Sequence, residues 1–203
     1  KKIQTMKLVI MTKSTFFVEE DKILTTLFEE GMDSLHLYKP ETSPMYSERL
    51  LSLLSEDYYR KIIVHDHFYL KEEYNLGGIH LDSSDAQLPQ GYNGHFSRTC
   101  TKLEELKDSK KKANYIFLKN VFDNKEMPNN KHSFTMNELE DAASKGLIDK
   151  KVYAMGGVGL DNLHVAKDLG FGGVVIWNKF DIPSQTDYKE LILHFEKLKK
   201  AIG

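Results

Sequence analysis

Hydrophobic residues recur along the chain in short runs separated by polar segments. The runs are rich in aliphatic and β-branched residues, as in strands buried within a sheet. Because they are apolar throughout, they favour a parallel sheet covered on both faces. Eight strands are predicted, over Lys7–Thr12, Ser34–Lys39, Lys61–Asp66, Gly78–Leu81, Gly94–Cys100, Asn114–Asn120, Lys151–Gly157 and Gly172–Asn178.

Apolar residues at helical spacing follow most of the predicted strands. The patterns include Leu24, Leu50, Leu139, Leu163 and Leu191, and several end at a glycine, as helices often do. The helical pattern is weakest after the fourth and fifth strands. Residues 82–93 and 120–133, which contain proline and many polar residues, are predicted as loops.

Eight βα units in 203 residues, about 25 residues each, predict a compact (β/α)₈ TIM barrel that spans residues 1–203 as a single α/β domain. The alternative is a doubly wound open sheet. That fold commonly carries a G-x-G-x-x-G turn after its first strand, whereas this chain continues Thr12-Lys13-Ser14-Thr15. The barrel is therefore favoured, and its functional residues are expected where the strands end.

The charge balance argues against several classes of partner. Lys and Arg total 28 against 30 Asp and Glu, so the net charge of −2 predicts neither nucleic acid nor an anionic membrane as a partner. No apolar run approaches the roughly 20 residues of a membrane helix. The single cysteine, Cys100, cannot form an internal disulfide. We expect a soluble cytoplasmic protein that is not exported, and leave a homo-oligomer open.

Two carboxylates stand at the ends of neighbouring predicted strands. Asp66 ends the third strand and Asp85 follows the fourth. Such a pair can share one hard cation, with water and phosphate oxygens as its other ligands, so we predict Mg²⁺ held by Asp66 and Asp85. Taken alone, Asp66 is better explained as a helix cap and Asp85 as a solvated loop acid, and only the pairing of the two favours a metal site.

A different metal chemistry is also compatible with the third strand. His65 and His67 form a His-x-His pair, which places both imidazoles on one face of a strand. With His80 nearby, they could hold zinc in a metal-dependent hydrolase. No further metal-type pattern marks strands five to eight, so this hypothesis ranks below the magnesium site.

Glycines at the end of the seventh strand indicate an anion site. Gly156-Gly157 let backbone amides approach a phosphate closely, and a helix is predicted to begin just beyond them. The eighth strand ends at Trp177-Asn178, and phosphate sites of these barrels are built from the loops after strands seven and eight. Gly172-Gly173, at the start of the eighth strand, is also explained by a tight turn.

The motifs, and their order along the chain, resemble those of the thiamine phosphate synthase and thiazole tautomerase family over nearly the whole chain. The matching segments are Leu35–Pro40 for V-Q-L-R-x-K, Val64–Asp66 for I-N-D, Gly78–Asp85 for G-x-H-L-x-x-x-D, His95–Ser97 for G-x-S, Tyr115–Asn124 for Y-I-G-L-G-P-I-F-x-T, and Gly156–Val158 with Asn162 for G-G-I and N.

The resemblance implies a synthase of thiamine biosynthesis that couples a hydroxymethylpyrimidine diphosphate to a thiazole phosphate and releases pyrophosphate. It implies Mg²⁺ on Asp66 and Asp85. The implied substrate contacts are His36, Tyr38, Lys39 and His65 around the pyrimidine diphosphate, Ser97 on the pyrimidine side, and Asn124, Gly157, Trp177 and Asn178 at the thiazole phosphate. No residue is assigned a catalytic role beyond binding.

The chain departs from the family pattern inside the site. Tyr38 and Pro40 replace the arginine and lysine after strand two, and the Thr-x-Thr-Lys after strand six becomes Asn124–Met127. Of three arginines, only Arg98 is expected near the mouth. A thiazole tautomerase, or a barrel that binds thiazole phosphate or thiamine phosphate without coupling, is therefore the alternative. The tautomerase histidine aligns with Asn120, and His132 in the same loop is the available substitute.

Overall fold

The eight predicted strands form a closed parallel barrel. A computed structural model describes residues 5–125, 127–177 and 188–203. Each strand pairs with the next, and β1 also pairs with β8, from Lys7 opposite Gly173 to Met11 opposite Trp177. The strands are β1 Lys7–Met11, β2 Leu35–Leu37, β3 Ile62–Val64, β4 Gly78–Leu81, β5 Phe96–Cys100, β6 Tyr115–Leu118, β7 Val152–Ala154 and β8 Gly173–Trp177. The predicted fold class is confirmed.

Helices surround the barrel, although the repeat is less regular than predicted. They are α1 Glu20–Glu29, α2 Pro44–Leu53, α3 Tyr69–Glu73, α4 Leu106–Lys112, α5 Met136–Ser144, α6 Leu163–Asp168 and α7 Tyr188–Ile202. The sequence pattern missed α3 and α4, because each is short and buries a single leucine. Residues 82–93, described throughout, contain no helix, so the expectation of eight complete βα units is corrected there. No helix in the described ranges has the length and apolar character to cross a membrane.

Apolar side chains fill the space between the strands and the surrounding helices, and part of the barrel interior as well. The interior group contains Val9, Met11, Phe117, Tyr153, Met155 and Val175, which come from β1, β6, β8 and the β7 segment. Val9 and Met11 alternate with Ile10, which packs in the outer core, as expected for successive residues of a strand. One side of the barrel is therefore an ordinary packed core.

The other side of the interior is polar. Strands β2 to β5 contribute buried His36, His80, Ser97 and Thr99, and His65 follows β3 directly. Buried polar groups are stable when they are hydrogen-bonded, and these side chains bond mainly to one another. The barrel thus places a hydrogen-bonded network directly beneath the ends of β2, β3 and β4.

The glycines that begin β8 are required by close packing. A Cβ on Gly173 would lie 2.9 Å from the Lys7 carbonyl oxygen and 2.9 Å from the ring of Tyr153. At Gly172 it would overlap the Lys150 carbonyl. Neither glycine has a positive φ, so the tight-turn interpretation of this pair is replaced by contact between neighbouring strands.

Candidate active site

Aromatic residues connect the two sides of the barrel mouth. Trp177, at the end of β8, contacts Tyr38, which follows β2, with ring centroids 5.8 Å apart. Tyr38 in turn contacts His65, which follows β3, at 5.5 Å. The Trp177 Nε1–H donates to the carbonyl of Thr12 at 3.0 Å, which fixes the indole beside β1. The ends of β2, β3 and β8 therefore form one continuous surface.

Two carboxylates lie together on this surface, and one of them was not predicted as a site residue. Asp66 accepts a hydrogen bond from the Lys39 backbone N–H at 3.0 Å. Burial raises the pKa of the Asp66 carboxyl, and the nearby charge of Asp82 raises it further. Asp82 accepts from His65 Nδ1 at 2.7 Å, while its side chain stays 49% exposed.

Asp85, the predicted partner of Asp66, lies in an exposed turn. Its Oδ1 accepts from the Ser83 hydroxyl at 2.7 Å, and this bond lowers the pKa of its carboxyl. Arg98 holds the same turn, because its Nη1 donates to the carbonyls of Ser83, Ser84 and Ala86 at 2.7–3.0 Å. The arginine expected near the mouth is thus bonded to the loop that carries Asp85.

The predicted pyrimidine residues form the buried network. His36 is fully buried, with Nδ1 2.7 Å from His65 Nε2 and Nε2 2.6 Å from the Tyr115 hydroxyl. Ser97 is equally buried and bonds to His80 Nδ1 at 2.6 Å. Burial lowers the pKa of both His36 and His80 well below its usual value, so both rings are neutral. Contact of His36 and Ser97 with a substrate stays a prediction.

The Lys39 ammonium is bonded within the loop that follows β1. Its ammonium lies 2.7 Å from Glu20 Oε2, and both side chains are almost completely buried. It also donates to the carbonyls of Lys13 and Thr15, each at 2.9 Å. The structure therefore places the Lys39 charge in an internal ion pair, and only its backbone N–H reaches the carboxylate of Asp66.

The structure does not bring His65 and His67, the His-x-His pair, into one metal-binding group. In the part of the chain that the structure describes, the group with metal-ligand geometry consists of His36, His65 and His80. His67 lies outside it and bonds to the Thr42 carbonyl at 2.9 Å. Both ring nitrogens of His80 already contact hydroxyls, those of Ser97 and Thr99, at 2.6 and 2.7 Å. The structure therefore does not pair His65 with His67, as the zinc-hydrolase alternative requires.

A cavity of about 190 Å³ opens beside Trp177 at the ends of β6, β7 and β8. Asn124, Gly157 and Trp177, three of the predicted phosphate residues, line it together, and Asn178 lies outside the described residues. Lys119 and Lys125 bring positive charge to its wall. Lys125 also pairs with Asp161 at 2.5 Å, which joins the loops after β6 and β7 over the cavity.

Gly156 and Gly157 allow the loop after β6 to lie against the loop after β7. Both have positive φ, 95° and 67°. A Cβ on Gly156 would lie 2.8 Å from the Asn120 backbone nitrogen, and one on Gly157 would overlap the Asp123 carbonyl. Met155 and Gly156 carbonyls accept from Val121 and Phe122, so backbone hydrogen bonds join the two loops.

We expect Gly157→Ala to lower affinity for a phosphate-bearing ligand about tenfold or more, because the methyl group must push back a wall of this cavity. Gly146→Ala is the matched control, since Gly146 also has a positive φ, 75°, but has no atom within 4 Å of an added Cβ. Both variants incur the cost of about 1 kcal/mol of a left-handed alanine. Isothermal titration with thiazole phosphate measures the difference, and equal affinities of the two variants would contradict it.

The loop after β6 also holds a histidine–aspartate pair. His132 Nδ1 and its backbone N–H each lie 2.7 Å from Asp123 Oδ1, and both side chains are about half exposed. These hydrogen bonds lower the pKa of Asp123. The carbonyl of Asp123 contacts Gly157, so the pair stands next to the glycine-lined cavity.

Sequence reasoning missed Asp82 and Tyr115 as members of the site. A signal for Asp82 was present, since residues two apart in a strand face the same side, and His80 was already considered as a neighbour of His65. Tyr115 opens β6 and meets His36 from the far side of the barrel, a contact that becomes visible only once the barrel has closed.

Comparison with known proteins places these features in a family. The model of the family described as thiamine monophosphate synthase matches residues 9–180. A thiamine-phosphate synthase of Flavobacterium johnsoniae is 24% identical over 156 residues, which cover 70% of each chain.

Two solved structures of thiamine phosphate pyrophosphorylases are also similar to this chain. The crystal structure of thiamine phosphate pyrophosphorylase from Bacteroides thetaiotaomicron is 49% identical to this chain, covers 97% of both chains and superposes with a TM-score of 0.84. A thiamine phosphate pyrophosphorylase from Pyrococcus furiosus, at 17% identity, covers 98% of this chain and 96% of its own, with a TM-score of 0.74. At that identity, the second likeness supports the fold alone.

Proposed function

The chain belongs to the thiamine monophosphate synthase family, a family of thiamine-biosynthetic transferases, and from that premise we propose which reaction its mouth performs. It couples a hydroxymethylpyrimidine diphosphate to a thiazole phosphate, with release of pyrophosphate. The bond from the pyrimidine methylene carbon to the diphosphate oxygen breaks, and its electrons leave with pyrophosphate. The thiazole nitrogen then donates its lone pair to that carbon.

One observation carries the proposal: carboxylates and a glycine-lined cavity share one rim, connected by aromatic rings. Asp66 stands after β3, and the cavity lies beside Trp177. Tyr38 contacts Trp177 on one side and His65, the neighbour of Asp66, on the other. A diphosphate near the carboxylates and a monophosphate in the cavity would therefore bring two substrates to the same aromatic surface.

The residues of the cavity support binding of the thiazole phosphate. Lys119 supplies charge, Asn124 a side-chain amide, and the glycine turn a backbone that an anion can approach closely. Among the described residues, none accepts a hydrogen bond from the backbone N–H of Gly157 or of Val158. These amides are thus available as donors to a phosphate.

The acidic residues after β3 and β4 have the donor chemistry that a magnesium ion needs. Asp66 and Asp85 offer the hard carboxylate oxygens that Mg²⁺ prefers, and the repulsion between Asp66 and Asp82 that raises the pKa of Asp66 is relieved by a cation. We propose that Asp66 and Asp85 hold Mg²⁺. When bound, the ion would neutralise charge on the departing pyrophosphate.

The chain's own cations near the diphosphate are few. Arg98 is bonded to three loop carbonyls, and Lys39 is buried with Glu20. Tyr38 occupies the position at which the family pattern has an arginine, and its side chain can stack or donate one hydrogen bond. Stabilisation of the leaving group therefore depends on Mg²⁺ and on lysines such as Lys119 to a greater extent than in an arginine-rich site.

Purified protein incubated with Mg²⁺ and both phosphorylated substrates is expected to form thiamine phosphate and pyrophosphate in equal amounts. Chromatography of thiamine phosphate, together with an enzymatic assay for pyrophosphate, measures the two products. Omission of either substrate is the control for contaminating activities. Absence of product across a full range of Mg²⁺ concentrations would overturn the proposal of coupling.

The alternative within the pathway is a tautomerase, or a barrel that only binds thiazole phosphate or thiamine phosphate. It is favoured by the pair of His132 and Asp123 beside the cavity, because a histidine held by a carboxylate can transfer a proton. Thermal shift separates the hypotheses: stabilisation by thiazole phosphate but not by the pyrimidine diphosphate would favour the alternative.

A further inference from the structure

A chain of hydrogen bonds crosses the barrel interior and ends at the mouth. The Tyr115 hydroxyl lies 2.6 Å from His36 Nε2, His36 Nδ1 lies 2.7 Å from His65 Nε2, and His65 Nδ1 lies 2.7 Å from Asp82 Oδ1. Both histidines are buried, whereas the Asp82 side chain is 49% exposed. Among these four hydrogen-bonded residues, Asp82 is therefore the one that a ligand at the mouth can reach.

The carboxylate sets the direction of the chain. An ionised aspartate only accepts hydrogen bonds, so His65 carries its proton on Nδ1. With His65 protonated on Nδ1 alone, its Nε2 accepts from the Nδ1–H of His36, and His36 Nε2 accepts from the Tyr115 hydroxyl. Burial holds the pKa of His36 well below the usual value, so its ring carries the single N–H that this direction uses.

This arrangement leaves His36 and His65 no unbonded ring nitrogen. All four ring nitrogens of His36 and His65 are bonded within the chain of hydrogen bonds. Asp82 differs, because among the described residues none donates to its Oδ2. Burial raises the pKa of both Tyr38 and Asp66, and the nearby charge of Asp82 raises each of them further. Its second oxygen is thus an acceptor beside the aromatic surface of the mouth.

We propose that Asp82 is a specificity-determining residue for the pyrimidine substrate. Its Oδ2 accepts a hydrogen bond from the exocyclic amino group of the ring, and His65, His36 and Tyr115 are positioning residues that hold the carboxylate. An analogue with an oxo group in place of the amino group presents an acceptor to the carboxylate, and the two repel. The inference rests on the proposed function for the identity of the ring.

The test compares binding of two small molecules that carry no phosphate, the free hydroxymethyl aminopyrimidine and its oxo analogue, by isothermal titration. Wild-type protein is expected to prefer the amino compound by about 10- to 100-fold, as is typical of a hydrogen bond to a charged acceptor. In Asp82→Asn the amide oxygen still accepts from His65, but the amide N–H₂ faces the mouth. The preference should disappear or reverse.

Two controls separate recognition from folding. Asp108→Asn makes the same chemical change on α4, where the side chain is 88% exposed, and should keep the wild-type preference. Nitrogen-15 NMR of the histidines should show His65 protonated on Nδ1 in the wild type and in Asp82→Asn. In Asp82→Ala, which removes the acceptor, this tautomer signature should be lost.

The outcomes distinguish this inference from the proposed function. If Asp82→Asn keeps the preference for the amino compound, or if the wild type binds neither pyrimidine, Asp82 is not the acceptor and the inference fails. If the wild type prefers the amino compound and Asp82→Asn does not, while no thiamine phosphate forms with both substrates, the inference holds and the coupling proposal fails.

Discussion

Asp66→Ala is expected to lower the rate of thiamine phosphate formation by at least about 10²–10³-fold, the range seen when a group that stabilises developing charge is removed. The variant loses a carboxylate that we propose as a ligand of Mg²⁺, at a mouth where Arg98 and Lys39 are bonded elsewhere. Initial rates at saturating concentrations of both substrates, over a range of Mg²⁺ concentrations, measure the effect.

The variant also removes the acceptor of the Lys39 backbone N–H, so its folding has to be checked. Asp66→Asn keeps an oxygen that can accept this bond while it removes the charge, and we expect a melting temperature near that of the wild type with a similar loss of rate. Asp141→Ala, in an exposed pair with Lys145, is the control for loss of an aspartate. If both Asp66 variants keep more than about a tenth of the wild-type rate, the proposed role of Asp66 is wrong.

The barrel could be predicted from sequence because its strands are apolar throughout. A run such as Lys61–Asp66 needs no knowledge of its neighbours to be recognised, and the observed β3 lies inside it. Short amphipathic elements are harder, since α3 and α4 each bury one leucine and carry no extended periodicity. Their position is determined by packing on the barrel, which local sequence does not report.

The individual positions of the site residues were predictable in part, but their partners were not. Gly157 and Trp177 were expected on one rim, and the structure brings them to one cavity. Asp82 stood in the sequence as one acid of a loop, and its pairing with His65 depends on the register between β3 and β4. Arg98 was expected near the mouth, but the sequence does not show that three carbonyls converge on it.

Lys39→Met is expected to destabilise the fold by about 3–5 kcal/mol, the usual cost of removing one partner of a buried ion pair. The substitution leaves the Glu20 carboxylate buried without its ammonium, and it removes the donor to the carbonyls of Lys13 and Thr15. For a chain of this length the melting temperature should fall by roughly 6–20 °C. Urea denaturation, with the slope held equal to that of the wild type, measures the free energy of unfolding.

The double variant Lys39→Met/Glu20→Leu shows whether the unpaired charge causes this loss. It should be more stable than Lys39→Met, because no charge stays buried, although the carbonyls of Lys13 and Thr15 still lack a donor. Lys145→Met, in the exposed pair with Asp141, should cost less than about 1 kcal/mol. A double variant no more stable than Lys39→Met would show that packing of the lysine stem, and not the charge, holds the loop after β1 against β2.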